Sequence, residues 1–189
     1  ASDVYKRQGN YGTEGDGSPA ADGIMRLALR TGIGTAITLE RLKASLAVEY
    51  EGISDRAYGA GIMSLGAVSP SASIRYNFLK GLSVNAFGRR AFRAPMFNEL
   101  YYIGYGNTSL KAEDAWLAGA GIEWHRTISG AWRFDAKADG FLNMLKNKIT
   151  SAPSETDPNI WLPYNIGKVL ATGFETSVGA EYSADGWNA

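Results

Sequence analysis

The sequence has no cysteine and only one histidine among its 189 residues. Disulfides, thiolate metal sites and cysteine nucleophiles are therefore excluded, and cysteine usage gives no information on the redox compartment. The single His125 has no partner with which to form a zinc site or a catalytic triad, so we interpret it as an interfacial or lumen residue. Glu113 and Asp114 could suggest a pair of catalytic carboxylates, but adjacent residues point to opposite faces of a strand, so they would not act as a general acid and base together. The sequence thus contains no catalytic constellation, and we expect neither an enzyme nor a cofactor.

The sequence also lacks an excess of either charge and has no long apolar run. Nineteen basic residues balance nineteen acidic ones, which argues against a nucleic-acid partner. No run of ~18 apolar residues predicts a membrane-spanning helix, and no signal peptide opens the chain. Residues 1–8 share no pattern with the rest of the chain, so we interpret them as an artefact or cloning scar. We interpret residues 9–189 as a fragment of a longer protein.

The sequence is rich in glycine and aromatic residues, which is typical of a sheet protein with many turns. After a loop-like tract at residues 9–22, apolar and polar residues alternate with period two in long segments, which predicts strands rather than helices. A turn is predicted at residues 32–35. About seven strands and the start of an eighth are expected, at residues 24–31, 41–51, 71–79, 82–92, 114–126, 131–147 and 164–182.

The predicted strands have two unlike faces. In strand 131–147, one face carries Trp132, Phe134, Leu142 and Met144, and the other carries alternating basic and acidic residues, namely Arg133, Asp135, Lys137 and Asp139. Charges cost a few kcal/mol each in hydrocarbon, so the charged face is expected to line a watery lumen as a salt-bridge ladder. Aromatics near strand ends are expected to form interfacial girdles, at Tyr50, Trp124, Trp132 and Tyr182.

Connection lengths complete the prediction of the fold. Short turns such as Lys80-Gly81 are expected at one rim, and long loops at residues 52–70, 91–113 and 150–163 at the other. Such an up-and-down antiparallel meander is the pattern of an outer-membrane β-barrel. Two alternatives remain open. A small closed barrel with a structural or adhesive role requires the two ends of the chain to pair as strands, and a soluble β-sandwich binding module requires the Trp132 face to be buried in protein.

The interval from Ala91 to Glu113 is the most distinctive loop. Pro95 is predicted to end the preceding strand, and Gly106-Asn107 to turn the chain through positive φ. A long aromatic loop on a strand scaffold indicates ligand binding, although it could equally fill its own barrel mouth. Aromatic residues could stack on a corrinoid, haem or siderophore. The candidate ligand-binding residues of the loops are Tyr101, Tyr102, Tyr105, Asn107, Asn159 and Trp161.

Three blocks in order resemble the signature of TonB-dependent outer-membrane receptors. The first comprises Phe92, Arg93, Pro95, Phe97, Asn98, Glu99, Leu100, Tyr101, Gly106, Asn107, Leu110, Lys111 and Glu113. The second is the strand end Phe141–Ile149, and the third comprises Asn165, Gly167, Lys168, Gly173 and Glu175. Met96, Ala112 and Phe174 depart from the residues usual in the family. The details are similar to cobalamin-receptor-like members, particularly those of Bacteroidetes.

The resemblance implies more than the spacing shows. It implies part of a barrel of ~22 strands with a plugged lumen, set in outer-membrane lipid of a Gram-negative bacterium. It further implies active uptake of a scarce, bulky small-molecule chelate, such as cobalamin, siderophore-iron or haem. Energy would come from the TonB-ExbB-ExbD complex through a plug domain, and neither that plug nor its TonB box is present in this chain.

Overall fold

The computed structural model describes residues 2–11, 21–57, 61–128, 131–184 and 187–188. The described strands form one antiparallel sheet in which each strand pairs with the next along the chain. The strands are β1 (Ser2–Tyr11), β2 (Ala21–Thr38), β3 (Leu42–Ala57), β4 (Gly61–Leu79), β5 (Leu82–Arg93), β6 (Glu113–Ile128), β7 (Trp132–Pro153), β8 (Trp161–Ala184) and β9 (Trp187–Asn188), and a short helix α1 (Phe97–Tyr101) lies between β5 and β6. The meander and the predicted strands are confirmed.

The described strands form an open sheet, and β1 and β9 are its two edge strands. Both ends do contain paired strands, since Ser2–Tyr11 pairs with β2 and Trp187–Asn188 with β8. The loop predicted at residues 9–22 is therefore shorter, and its residues 12–20 lie outside the described residues. Among the described residues, these end strands pair with their neighbours along the chain and not with each other, so the described sheet is open and does not form the small closed barrel. That residues 1–8 are an artefact stays a prediction. Residues 2–8 form most of β1 and pair in register with β2.

The prediction of a long loop at residues 52–70 is wrong for residues 52–57 and 61–70, which are strand; residues 58–60 lie outside the described residues. Strands β3 and β4 pair without a break from Leu42 opposite Tyr76 to Ala57 opposite Gly61. Glycine and serine there suggest a loop by composition, but they occupy strand positions. A side chain explains part of this: the ring of Tyr50 covers Gly52 and Gly66, whose built Cβ atoms would lie 3.1 Å from its hydroxyl oxygen. The aromatic ring replaces the side chains that the two glycines lack.

The turn predicted at residues 32–35 is also wrong. Strand β2 continues to Thr38, and the reversal occurs at residues 39–41. A Cβ on Gly32 or Gly34 would lie 3.1 Å from side chains of β3, so these glycines allow close strand packing rather than a turn. By contrast, the turn at Lys80-Gly81 is confirmed. The predicted loop at residues 150–163 shortens to residues 154–160, because β7 and β8 pair out to Pro153 opposite Trp161.

The outer face of the sheet is apolar and uncovered. Its exposed residues include Ile33, Leu46, Leu170, Phe174 and Val178, of which Val178 is 87% exposed. The inner face carries charges paired along or across strands, among them Arg30–Glu51, Arg75–Glu123 and Lys137–Asp139. A soluble sandwich would bury the first set in protein, whereas a membrane barrel turns it to lipid. The two faces have the polarity that the sequence predicts.

The described chain has a single helix, and its five residues cannot cross a membrane.

Aromatic side chains gather on the outer face at the rim with the short turns. The ring of Trp132 lies 4.9 Å from Tyr182 and 6.0 Å from Phe134, and Tyr76 lies 4.9 Å from Phe78. Such rings favour the boundary between hydrocarbon and headgroups. From Trp132 to Met144, the outer-face residues of β7 span twelve strand positions, or ~28 Å of height at a tilt of ~45°. This height agrees with an apolar band ~25 Å tall.

The turn glycine Gly81 is expected to be irreplaceable. It has φ +84°, and a Cβ on it would clash with the carbonyl oxygen of His125. Gly81→Ala should therefore destabilise the full-length protein by at least about 1–2 kcal/mol, because an L-residue is strained in this region even before the clash. The urea midpoint of the refolded barrel measures the effect.

Gly88→Ala is the matched control, because a Cβ on Gly88 in strand β5 would meet nothing within 4 Å. Equal urea midpoints for the two variants would contradict the structure of the turn.

Candidate functional site

The chain between β5 and β6 folds back over the inner face of the sheet. We call residues 94–112 the strap. Strand β5 ends at Arg93, two residues before Pro95, as predicted, because proline lacks the amide needed for strand pairing. Helix α1 follows, and the Glu99 carboxylate accepts a hydrogen bond from the Met96 amide at 2.7 Å. This contact satisfies a free amide at the helix start. The helix itself was not predicted from the sequence.

The turn that returns the strap differs in one detail from the prediction. Positive φ occurs at Gly104, at +76°, and not at Gly106. Gly106 instead allows close approach, since a Cβ there would lie 2.6 Å from the carbonyl oxygen of Leu100. The Asn107 amide then donates to the carbonyl of Glu99 at 2.7 Å. The strap is thus a compact, internally bonded loop.

Arg93 joins the strap to the sheet. Its guanidinium donates two hydrogen bonds to the Glu113 carboxylate, at 2.8 and 2.9 Å, and further bonds to Glu99 at 3.1–3.3 Å. Glu113 also contacts β7, because the Ile149 amide donates to the same carboxylate at 2.8 Å. One cation therefore connects α1 and the ends of β5 and β6, and Glu113 continues the network to β7.

A second anchor binds the start of the strap. Arg26 forms a two-pronged ion pair with Asp55, both bonds at 2.6 Å, and also donates to the carbonyl of Pro95 at 2.9 Å. Its guanidinium lies 4.8 Å from the centre of the Phe97 ring. The hydroxyl of Tyr101 donates to Asp55 at 3.3 Å. Asp55 is fully buried, and this burial is tolerated because the charge is paired.

A third anchor holds the return limb of the strap against β7 and β8. The side-chain amide of Asn107 donates to the carbonyl of Pro163 at 3.0 Å, and the hydroxyls of Tyr105 and Ser151 are 2.7 Å apart. Asn165 both accepts from the Lys111 amide at 2.8 Å and donates to the Lys111 carbonyl at 2.9 Å. The Asn165 side chain thus mimics a strand partner for the strap.

Apolar contacts fill the space between these anchors. Leu100 and Leu110 pack on Ile149 of β7, and Phe97 packs on Ile24 of β2. All five side chains are buried. The strap therefore fills the inner side of the mouth, which is the packed-loop interpretation that the sequence left open.

The structure gives the candidate residues different environments. Tyr101, Tyr105 and Asn107 use their polar groups in the anchors, and Asn159 donates to Asp157 in a tight turn at 2.9 Å. Only two of the six candidates present large exposed rings: Tyr102 and Trp161, each 54% exposed. Sequence reasoning missed Met96 and Ile103, which are exposed on the strap, and Arg26 and Asp55, which hold it. Ligand binding by the candidates stays a prediction.

Most residues of the family-like blocks have structural contacts. Gly173 lies beneath Phe141, whose ring would approach a Cβ on that glycine to 2.5 Å, and Glu175 pairs in register with Asp139 on the inner face. Asn98 is exposed, and a Cβ on Gly167 would meet nothing within 4 Å. In the part of the chain that the structure describes, no three acidic or histidine side chains are placed to hold a metal ion.

Comparison with known proteins shows the same architecture. A family model described as "TonB dependent receptor-like, beta-barrel" matches residues 11–189. A vitamin B12 transporter, BtuB, of Photobacterium profundum is 29% identical over 107 residues, which cover 55% of this chain and 17% of that protein. The chain therefore spans about a sixth of its curated relative.

Solved structures superpose on most of the chain. The FrpB iron transporter of Neisseria meningitidis matches with a TM-score of 0.63 and 18% identity, covering 86% of this chain and 24% of that one. The hemophore receptor HasR of Serratia marcescens, solved with its hemophore HasA and heme, matches with a TM-score of 0.74 and 14% identity, covering 96% and 35%. These matches agree on the fold, and all these proteins are transporters or receptors by name.

Removing the Arg93 side chain should free the strap. In full-length protein, Arg93→Ala removes the cation that Glu99 and Glu113 share and leaves Glu113 with the longer ion pair to Lys148, at 3.9 Å. The expected cost is about 1.5–3 kcal/mol. Limited proteolysis should then cut within residues 94–112 much faster than in the wild type. Arg93→Lys should give an intermediate rate, because an ammonium keeps the charge but not the forked geometry.

Arg133→Ala serves as the matched control for this test. Arg133 pairs with Asp135 at an exposed position far from the strap, where ion pairs contribute little. A strap that is cut equally fast in Arg93→Ala and Arg133→Ala protein would contradict the anchoring role of Arg93.

Tyr101 should ionise late. Burial raises the pKa of Tyr101 to about 12, and the negative charge of Asp55 adds to the effect. Because the neutral phenol is favoured in the folded state, its stabilising contribution is complete below a pH of about 10 and is lost as the pH rises through 12. The ultraviolet difference titration of wild type against Tyr101→Phe should show one phenolate forming near pH 12.

Tyr102→Phe removes one phenol from the same strap and controls for the subtraction. A difference midpoint for Tyr101 near pH 10, the value of an unperturbed tyrosine, would contradict its buried contact with Asp55.

Proposed function

This chain belongs to the TonB-dependent receptor β-barrel family of the Gram-negative outer membrane, and we propose that it forms the wall and part of the outer mouth of a transporter for a bulky nutrient chelate. The outer face of the sheet meets lipid, and the inner face lines the passage. The full-length protein would supply the remaining strands. The family and the two unlike faces of the sheet support this proposal.

The observation that carries the proposal is the anchored strap with two exposed rings beside it. The Tyr102 ring lies 6.5 Å from that of Tyr105, whose hydroxyl contacts Ser151. Ser151 pairs with Pro163, and Trp161 lies two residues before Pro163, at the start of β8, on the same face. Tyr102 and Trp161 therefore belong to one corner of the mouth. Their backbones are held by the packed strap and by strand pairing, so little order would have to be gained on binding.

The chemistry of this corner favours a large, partly planar ligand. Exposed tyrosine and tryptophan rings offer broad apolar contact with a polar edge, which suits a corrin, a haem or a catecholate chelate. Relatives are named as transporters of vitamin B12 and iron, and HasR was solved with heme. We propose cobalamin as the first cargo to test, because the curated relative is a vitamin B12 transporter.

Active uptake would require energy from the inner membrane. We propose that the TonB-ExbB-ExbD complex supplies it through a plug domain that sits against the inner face described above. The paired charges of that face, such as Arg75–Glu123 and Lys137–Asp139, would give a plug a polar wall against which to move without losing apolar contacts.

Uptake by the full-length receptor tests the proposal. Cells that express it in the outer membrane are given labelled cobalamin, a ferric siderophore or haem, with and without a working TonB. We expect accumulation of one cargo that depends on TonB. Accumulation of none of the three, or uptake that is unchanged without TonB, would overturn the proposed function.

The exposed rings should contribute to affinity. Tyr102→Ala and Trp161→Ala should each weaken binding of the transported cargo about two- to tenfold, the range expected for loss of one aromatic contact. Equilibrium binding to full-length receptor in isolated outer membranes measures this effect.

Ile160→Ala is the matched control, because Ile160 is an exposed apolar residue of the loop directly before Trp161 and has no aromatic ring. A loss of affinity in the control equal to that in Trp161→Ala would contradict a specific role for the tryptophan.

A further inference from the structure

A row of charges interrupts the outer face of the sheet. Asp114 of β6 lies opposite Lys146 of β7, and Lys146 lies opposite Lys168 of β8. The next row towards the short turns is formed by Trp116, Met144 and Leu170, which are likewise opposite one another. Because residues two apart share a strand face, the charged row belongs to the same outward face as this apolar row.

The charged row marks the top of the apolar band. Trp116, Met144 and Leu170 are 47%, 48% and 66% exposed, and the outer-face residues below them down to the aromatic rim at Trp132 and Tyr182 are mostly apolar. The row lies nearer the strap than this band, since Asp114 is the second residue of β6, which starts where the strap ends. Directly above hydrocarbon, the groups that a membrane offers are the phosphates and sugars of its headgroups.

The two lysines have no ion-pair partner among the described residues. The nearby carboxylate of Asp114 is already bound by Arg90, at 2.7 and 3.0 Å, and Arg90 also donates to the carbonyl of Val68 at 2.9 Å. Within the described part of the chain, neither Lys146 nor Lys168 forms an ion pair. Like charges directly opposite each other in a sheet are destabilising. The four side chains together carry two surplus positive charges on an outward face.

We propose that Lys146 and Lys168 form a binding site for a phosphate group of a phosphorylated lipid in the outer leaflet. The two ammonium groups come from adjacent strands and could contact one phosphate, and their aliphatic stems would continue the apolar band below. The Arg90–Asp114 pair would border the site. This site lies on the lipid side of the wall, so it is independent of the cargo proposed above.

The experiment uses the purified full-length receptor and vesicles of phosphatidylcholine that contain lipopolysaccharide, the phosphorylated lipid of this leaflet. The variant is Lys146→Gln with Lys168→Gln. We expect its affinity for these vesicles to fall about 10- to 30-fold, as for loss of two basic groups at an anionic membrane surface. Replacing both lysines with arginine should preserve binding.

Three further arms make the test decisive. Enzymatically dephosphorylated lipopolysaccharide should bind wild type as weakly as the phosphorylated form binds the glutamine variant. A Lys80→Gln, Arg126→Gln control removes the same charge at the opposite rim and should bind normally. Inorganic phosphate should not compete at concentrations that leave vesicles intact.

The proposal is overturned by unchanged affinity in the double glutamine variant, by an equal loss in the control, or by full competition from inorganic phosphate, which would indicate a site for the free ion. Cargo uptake is measured in parallel. Normal uptake with lost lipid affinity supports the site without bearing on the proposed transport function.

Discussion

The forked hydrogen bonds of Arg93 hold the mouth of this barrel segment together. A guanidinium can bind two carboxylates at fixed angles, and here it binds Glu113 at the start of β6 and Glu99 in α1. Glu113 in turn accepts the amide of Ile149. Without this cation, two acidic side chains would repel each other where the strap meets the sheet. The Arg26–Asp55 pair and Asn165 also hold the strap, but Arg93 is the residue that joins α1 directly to both β5 and β6.

A second constraint acts along the whole sheet, because one face meets lipid and the other meets water. Every strand must then alternate, and close packing is achieved by setting rings over glycines. Phe87 lies over Gly119 and Phe141 over Gly173 on the inner face, with built Cβ distances of 2.6 and 2.5 Å. Lys146 and Lys168 place charge on the otherwise apolar outer face, and we propose a lipid phosphate as their partner for that reason.

Local patterns in the sequence predicted what local physics controls. The alternation of strand 131–147, the break at Pro95 and the turn at Gly81 are each decided by neighbouring residues, and all were found. Contacts between distant residues were not predictable in the same way. Asp55 meets Arg26 and Tyr101 only through strand register and the fold of the strap. Residues 52–57 and 61–70 are strands because β3 and β4 extend each other beyond the apolar band. Composition alone could not distinguish strand segments that extend into water from loops.

Hydrogen exchange in the full-length receptor, reconstituted in lipid, tests the central claim that Arg93 fixes the strap. The amides of Asn107 and Ile149 report on it, since one is bonded within the strap and the other to Glu113. We predict that both are protected in the wild type and that both lose protection together in Arg93→Lys. Unchanged protection of both amides in Arg93→Lys would contradict the account.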